Sequence, residues 1–225
     1  MAKLFFMGDS ITAGAWDARG GWAGRLIGQL LSKTATSARR TEGFYCMAYN
    51  LGVSGDTAPD VLRRLNKEIT TRVYGSAEDD TIQIVFAFGV NDSVYSLAES
   101  CNCYTDDEFK NDVYDIIKLA QKFTPHISFI GLLPVDEACV NPLPWDTEKS
   151  YTNKNIQHFD GMIKDICAEK NINFLPLFEK WSAMTNLNEY LSDGLHPNTK
   201  GHELMAQQIG EFLFTPEFEA FHTKG

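Results

Sequence analysis

The segment TIQIVFAF at residues 81–88 decides the fold of this chain. It is rich in β-branched and aromatic residues, and its apolar residues point to both faces of a strand. Such a strand is typical of the centre of a parallel sheet, because parallel sheets are covered on both sides. Strands that face water on one side show alternating polar and apolar residues instead.

Further strands and helices are predicted on either side of this segment. Apolar runs at residues 4–7, 44–51, 127–133 and 172–175 have the length of buried strands. Strands and helices in alternation favour a parallel sheet that is covered by helices on both faces. The apolar residues at helical spacing are Trp22, Leu26, Ile27, Leu30 and Leu31; Leu62, Leu65, Ile69 and Val73; Phe109, Val113, Ile116, Ile117, Ala120 and Phe123, before Pro125; Ile156, Phe159, Ile163 and Ile166; and a last helix from about Lys200 to Phe214 after a cap at Asn198 or Thr199.

The composition excludes several classes of protein. The chain has 225 residues, of which 44% are hydrophobic and 22% are charged, so an ordinary folded core is expected. That length is about 1.5 times a typical domain, and we expect a single domain over residues 1–225. Thirty acidic and 20 basic residues give a net charge of −10, which disfavours nucleic acid or an anionic membrane as the partner.

Cysteine usage and hydropathy predict a cytoplasmic protein. The 5 cysteines cannot all pair, so a disulfide framework is not expected. The apolar run at the N-terminus is too short for a signal peptide, and no segment approaches the roughly 18 apolar residues of a membrane span.

Four short blocks of glycine and polar residues lie where chemistry is expected. GDS at residues 8–10, NLGVSG at 50–55 and GVND at 89–92 follow the first three strands, and DGLHPN at 193–198 precedes the last helix. Ligands bind at the carboxyl ends of the strands in open α/β sheets. The long connections at residues 93–106 and 135–150 also follow strands, and loops of that length usually serve a site.

These blocks together resemble the SGNH hydrolases, also called GDSL esterases and lipases. The resemblance is carried by Ser10, Gly52, Asn91 and His196 and extends from residue 4 to about residue 214. Ile11 stands where the family's second name has leucine. The resemblance implies a flavodoxin-like three-layer α/β/α sandwich with a five-stranded parallel sheet. It also implies hydrolysis of a small-molecule ester through an acyl-enzyme, without a cofactor or a metal.

The residue types at these positions suit acyl transfer. A serine hydroxyl is a weak nucleophile and needs an adjacent base, so His196 is expected to accept the proton of Ser10. Asp193 can orient the imidazole and stabilise its protonated form. The spacing of Asp193 and His196 places both side chains on one side of a single turn. The alternative is that Asp193 is a plain turn residue and His196 a surface residue.

The resemblance also implies an oxyanion hole made by the backbone N–H groups of Ser10 and Gly52 and the side-chain amide of Asn91. Glycine at position 52 would avoid crowding the substrate, and a neutral amide donates without a charge to be balanced. Simpler interpretations make Gly52 a left-handed turn residue and Asn91 a cap. Asp9 is expected to support the loop by hydrogen bonding.

Other catalytic patterns fail on spacing. Residues 52–56, GVSGD, miss the nucleophile elbow, and no P-loop or dinucleotide-binding fingerprint is present. Cys101 and Cys103 lack the further ligand pair of a zinc site. The remaining histidines, predicted to be surface or helix residues, are His126, His158, His202 and His222.

The sequence restricts the mechanism more closely than it restricts the class of substrate. Acetyl esters, longer acyl esters and thioesters all fit, and Tyr95, Trp145 and Leu195 are candidates for the pocket, although packing under a loop would explain them equally well. The alternative function is a non-catalytic module that binds an ester or a carbohydrate on the same scaffold. The presence of every expected catalytic residue favours the enzyme.

Overall fold

The computed structural model describes residues 2–37, 45–73, 81–216 and 218. Its strands are β1 (Ala2–Gly8), β2 (Cys46–Gly52), β3 (Thr81–Ala87), β4 (Tyr95–Ser96), β5 (Cys101–Asn102), β6 (Ile127–Ile130), β7 (Lys149–Ser150) and β8 (Asn173–Leu175). Its α-helices are α1 (Ser10–Ala13), α2 (Gly21–Ser37), α3 (Ala58–Arg72), α4 (Asp106–Ala120), α5 (Glu137–Val140), α6 (Asn153–Glu169), α7 (Phe178–Ser182) and α8 (Thr199–Leu213), and a 3₁₀ turn spans Leu187–Tyr190.

The main sheet has five parallel strands in the order β2-β1-β3-β6-β8. Strand β1 pairs along its whole length with both β2 and β3, so that Gly8 lies between Gly52 and Ala87. Helix α2 packs against α8, while α4 packs against α3 and α6. The α/β fold with a five-stranded parallel sheet is confirmed, and the ends of β1, β2 and β3 place three of the four sequence blocks side by side.

Some boundaries and one buried face differ from the predictions. Strand β6 ends at Ile130 rather than at residue 133, because the amide of Leu132 donates to the buried carboxylate of Asp160 at 2.7 Å. Helix α4 ends at Ala120, before Phe123. Leu31 is 49% exposed. Its neighbour Leu30 faces the core, and successive helical residues diverge by about 100°.

The two long connections form a second sheet instead of remaining irregular. Strand β4 pairs antiparallel with β5 and with β7, and we call this unit the accessory sheet. The second connection also contacts the loop before α8, where the amide of Asp136 donates to the carbonyl of Gly194 at 2.8 Å. The accessory sheet therefore ties both connections to each other.

All five cysteines are free thiols, and Cys46 and Cys167 are buried. Within the described part of the chain, no helix has the length and apolar character that crossing a membrane requires. The single domain, the cytoplasmic location and the lack of a nucleic-acid partner stay predictions. Residue 44 of the second predicted strand lies outside the described residues.

Candidate active site

The turns after β1 and before α8 bring Ser10 and His196 into contact. Ser10 Oγ lies 2.9 Å from His196 Nε2, although the two residues are 186 positions apart in the chain. The other ring nitrogen, Nδ1, lies 2.8 Å from Asp193 Oδ2. A hydroxyl, an imidazole and a carboxylate in this order have the geometry of a nucleophile, its base and the group that orients the base.

Ser10 is positioned by a short helix that begins directly after β1. Asp9 caps this helix, because its Oδ1 accepts the N–H of Ile11 at 2.9 Å. Ser10 is only 6% exposed. Its own N–H lies at the first position of α1, where no earlier helical carbonyl can accept it. That N–H is therefore available to a ligand beside the Ser10 hydroxyl.

The pairing of Asp193 with His196 is built within one turn, as the spacing predicted. Asp193 Oδ1 accepts the backbone N–H groups of Leu195 at 3.0 Å and of His196 at 2.8 Å, which leaves Oδ2 for the imidazole. Burial acts to raise the pKa of Asp193, but the hydrogen bonds from His196 and Leu195 outweigh it and hold that pKa well below its usual range. The carboxylate is therefore ionised and can stabilise a protonated imidazole.

Asn91 lies in the turn after β3, and its side-chain amide has a defined orientation. Nδ2 donates to the carbonyl of Asp56 at 2.9 Å, and the hydroxyl of Tyr151 donates to Oδ1 at 3.2 Å. A carbonyl can only accept, so the contact with Asp56 decides which end of the amide carries the nitrogen. The second N–H of Nδ2 stays available for a ligand.

Gly52 is required for close packing of α1 against the end of β2, which the sequence did not indicate. A Cβ atom there would lie 2.1 Å from the nitrogen of Ala13 and 2.6 Å from the carbonyl carbon of Thr12, so glycine lets α1 approach the end of β2. The backbone of Gly52 is not in the left-handed region. Its N–H donates to Asn50 Oδ1 at 3.0 Å and is therefore engaged within the protein.

Comparison with known proteins supplies the family. The chain matches the GDSL-like Lipase/Acylhydrolase family over residues 6–204. The chain belongs to this family. Membership makes it a carboxylester hydrolase, and the observed sheet is the fold of its structural neighbours.

Several solved structures have a fold similar to that of this GDSL-like acylhydrolase. A lipase/acylhydrolase from Enterococcus faecalis has a TM-score of 0.69 and 25% identity and is covered over 95% of each chain. An acetyl xylan esterase has a TM-score of 0.69 and 20% identity over 94% of this chain and 99% of its own. An acetylxylan esterase from Geobacillus stearothermophilus has a TM-score of 0.65 and 17% identity over 93% of this chain and 92% of its own. No curated protein matches the chain by sequence.

Two buried carboxyl groups flank the proposed site of this acylhydrolase. Burial raises the pKa of Asp9 to about 6 and that of Asp92 to about 7. Asp92 Oδ1 accepts the N–H of Ala58 at 2.8 Å, which joins the turn after β3 to the start of α3. Among the described residues no partner is found for Asp92 Oδ2, although this atom is buried.

The three candidate pocket residues lie in different settings. Tyr95 lines a cleft of about 510 Å³ that contains neither Ser10 nor His196. Trp145 is 57% exposed. The side chain of Leu195 is buried, and its backbone serves Asp193. The pocket role of these residues stays a prediction.

Two residues that contact the proposed machinery were not found from the sequence. Trp16 Nε1 donates to Asp193 Oδ2 at 2.9 Å, and Tyr151 contacts Asn91 as described above. Trp16 and Asp193 are 177 positions apart. Neither aromatic residue belongs to a motif, so no local pattern could have identified them.

The other histidines lie in three different settings. His202 belongs to α8 but is fully buried rather than at the surface. It accepts the N–H of Trp22 at its Nδ1, and its Nε2 donates to the carbonyl of Ala15 at 3.0 Å. His126 and His158 are exposed, and His222 lies outside the described residues. Within the described ranges, no cluster of three or more His, Cys, Asp or Glu side chains is arranged to hold a metal ion.

Proposed function

We propose that this acylhydrolase cleaves carboxylic esters through an acyl-enzyme on Ser10. His196 removes the hydroxyl proton as Ser10 Oγ attacks the acyl carbon, and then gives that proton to the leaving alcohol. A water molecule, deprotonated by His196, next releases the acyl group as an acid and restores Ser10. The observation that carries the proposal is the continuous chain of contacts Ser10–His196–Asp193, at 2.9 and 2.8 Å.

We assign stabilisation of the tetrahedral oxyanion to the N–H of Ser10 and the remaining N–H of Asn91. Neither N–H has an acceptor among the residues that the structure describes, and each such donor is typically worth about 2.7–4 kcal/mol. The N–H of Gly52 joins them only when it turns from Asn50 Oδ1 toward the substrate. Asp9 supports the site through its cap on α1.

The proposed substrates are small-molecule acyl esters, with acetyl esters, longer acyl esters and thioesters as the members to be compared. Two of the structural neighbours are acetyl xylan esterases, and another is a lipase/acylhydrolase. These neighbours make both short and long acyl groups reasonable probes.

A series of p-nitrophenyl esters from acetate to palmitate tests the proposal. The wild-type protein should release p-nitrophenol, and the dependence of kcat/KM on chain length gives its acyl preference. Ser10→Ala should release none above the uncatalysed rate. A wild-type protein that binds the esters without turning any of them over would instead be the non-catalytic binding module.

A further inference from the structure

A tryptophan contacts both members of the proposed acid–base pair. Trp16 Nε1 donates to Asp193 Oδ2 at 2.9 Å, and His196 Nδ1 lies 2.8 Å from the same oxygen. The indole also meets the imidazole edge to face, with ring centroids 6.4 Å apart and planes at 77°. Asp193 Oδ2 is therefore held between two ring nitrogens.

Trp16 adopts a backbone conformation that large side chains avoid. Its φ is 63°, in the left-handed region, where residues other than glycine, asparagine and aspartate are uncommon. The residue is also 64% exposed, so burial of the indole in the core does not offset this strain. Strained residues persist only where the surrounding structure holds them, and they cluster at functional sites.

Buried contacts hold the turn that carries Trp16. Since the N–H of Trp22 donates to Nδ1 of His202, the proton of this neutral imidazole is on Nε2, which donates to the carbonyl of Ala15. Asp17 pairs with Arg25, and burial of this pair leaves the turn little freedom.

The same turn is attached to the helix that follows the proposed catalytic loop. Thr199, the first residue of α8, donates its hydroxyl to Asp17 Oδ1 at 3.1 Å, and His202 lies one turn further along. The loop with Asp193 and His196 leads directly into α8. One helix therefore sets the position of Trp16 relative to Asp193.

We propose that Trp16 is a positioning residue for the Ser10–His196–Asp193 triad. Its N–H holds Asp193 Oδ2 toward the imidazole, and its ring covers the carboxylate–imidazole contact from water. A water molecule in place of the indole could accept and donate, but it would not fix the carboxylate. The inference rests on the proposed function, because it requires Asp193 to orient His196.

The test is Trp16→Phe, which keeps an aromatic ring and removes the N–H. With p-nitrophenyl acetate, kcat should fall about three- to tenfold, the size of an ordinary hydrogen bond, because solvent screens the charge of Asp193 at this exposed contact. KM should be unchanged, because the indole acts on the triad and not on the substrate. An unchanged circular dichroism spectrum and melting temperature establish that the fold is intact.

A double-mutant cycle tests whether Trp16 acts through Asp193. In an Asp193→Ala background, Trp16→Phe should have no further effect, since the carboxylate through which Trp16 acts is gone. An equal loss in both backgrounds, an increase in KM at constant kcat, or no loss at all would each overturn the proposal. Full activity of the single variant Asp193→Ala would contradict the proposed function, whatever the effect of Trp16→Phe. The inference about Trp16 would then fail with it.

Discussion

Tyr151, the residue after β7, donates its hydroxyl to Oδ1 of Asn91 at 3.2 Å. Tyr151 is only 6% exposed, and burial raises the pKa of its hydroxyl, so the group stays protonated and acts as a donor. The carbonyl of Asp56 fixes which end of the amide carries the nitrogen, and Tyr151 holds the opposite end, Oδ1, in place. The long connection at residues 135–150 thereby contributes to the proposed oxyanion hole through the accessory sheet.

Removal of this hydroxyl should weaken catalysis through Asn91. Tyr151→Phe is expected to lower kcat about fivefold with KM little changed, the size expected for one neutral hydrogen bond. Kinetics with p-nitrophenyl acetate measure the effect. In an Asn91→Ala background the same substitution should cost nothing further, and a loss that persists there would assign Tyr151 to another role.

Asn91 should be required for the rate rather than for binding. Asn91→Ala is expected to lower kcat by about 10²–10³ with KM little changed, the usual effect of deleting one oxyanion donor. Asn91→Asp should be at least as damaging, because a carboxylate offers no donor and repels the oxyanion.

The neighbouring Asp92→Asn is the control for the Asn91 variants. An asparagine at 92 can still accept the N–H of Ala58, so its effect on kcat should be far smaller. Small and equal effects at both positions would make Asn91 a structural residue and leave the oxyanion to backbone N–H groups.

Ser10→Ala should abolish ester hydrolysis without unfolding the protein. Among the described residues, the hydrogen bond of the hydroxyl goes to the imidazole of His196, and its removal takes away a single oxygen atom, so the melting temperature should change little. Steady-state turnover and thermal unfolding of the purified variant provide the two measurements. Wild-type rates in this variant would move the nucleophile elsewhere.

Dialysis against EDTA should leave the rate of the wild-type enzyme unchanged. The proposed mechanism activates Ser10 through His196 and uses N–H donors for the oxyanion, so no step requires a Lewis acid. Activity that disappears on chelation and returns with Zn²⁺ or Mn²⁺ would contradict this expectation.

Buried carboxyl groups predict that stability falls between mildly acidic and neutral pH. Burial raises the pKa of Asp9 and Asp160 to about 6 and that of Asp92 to about 7, above the unfolded value of about 3.9. Between these values the folded protein binds more protons than the unfolded chain, so the free energy of unfolding falls as the pH rises. Asp17, whose hydrogen bond from Arg25 lowers its pKa to about 2, acts in the opposite direction only in more acidic solution. Burial lowers the pKa of His202, so this group also opposes the trend below its unfolded pKa of about 6.5, as one group against three. The melting temperature should be higher at about pH 5 than at about pH 8.

Asp92→Asn should reduce this dependence. The substitution removes the carboxyl group with the highest of the three pKa values and supplies a neutral amide at a fully buried position. The difference in melting temperature between the two pH values should therefore be smaller in the variant. An identical difference in both proteins would show that Asp92 does not titrate as described.

Local patterns were enough for the fold class and for parts of the site. The composition of residues 81–88 predicted the central strand β3, which is observed at Thr81–Ala87. Asn198, one of the two predicted caps, caps α8 through two hydrogen bonds. This could be predicted because capping acts within one turn. Asp193 and His196 pair across three positions for the same reason. Gly52 shows the limit of such inference, because the close approach of the Ala13 backbone to this residue left no signal in the sequence.

The sequence by itself determined the α/β class, the family and the residues of the four blocks, since strand composition, helix spacing and motif order are properties of neighbouring residues. Only the tertiary structure decided which distant side chains contact those blocks. Tyr151 and Asn91 are 60 positions apart and Trp16 and Asp193 are 177 positions apart, and neither contact leaves a periodic or spaced signal in the chain. These contacts exist because a parallel sheet brings the ends of its strands, and the connections that follow them, to one edge of the molecule.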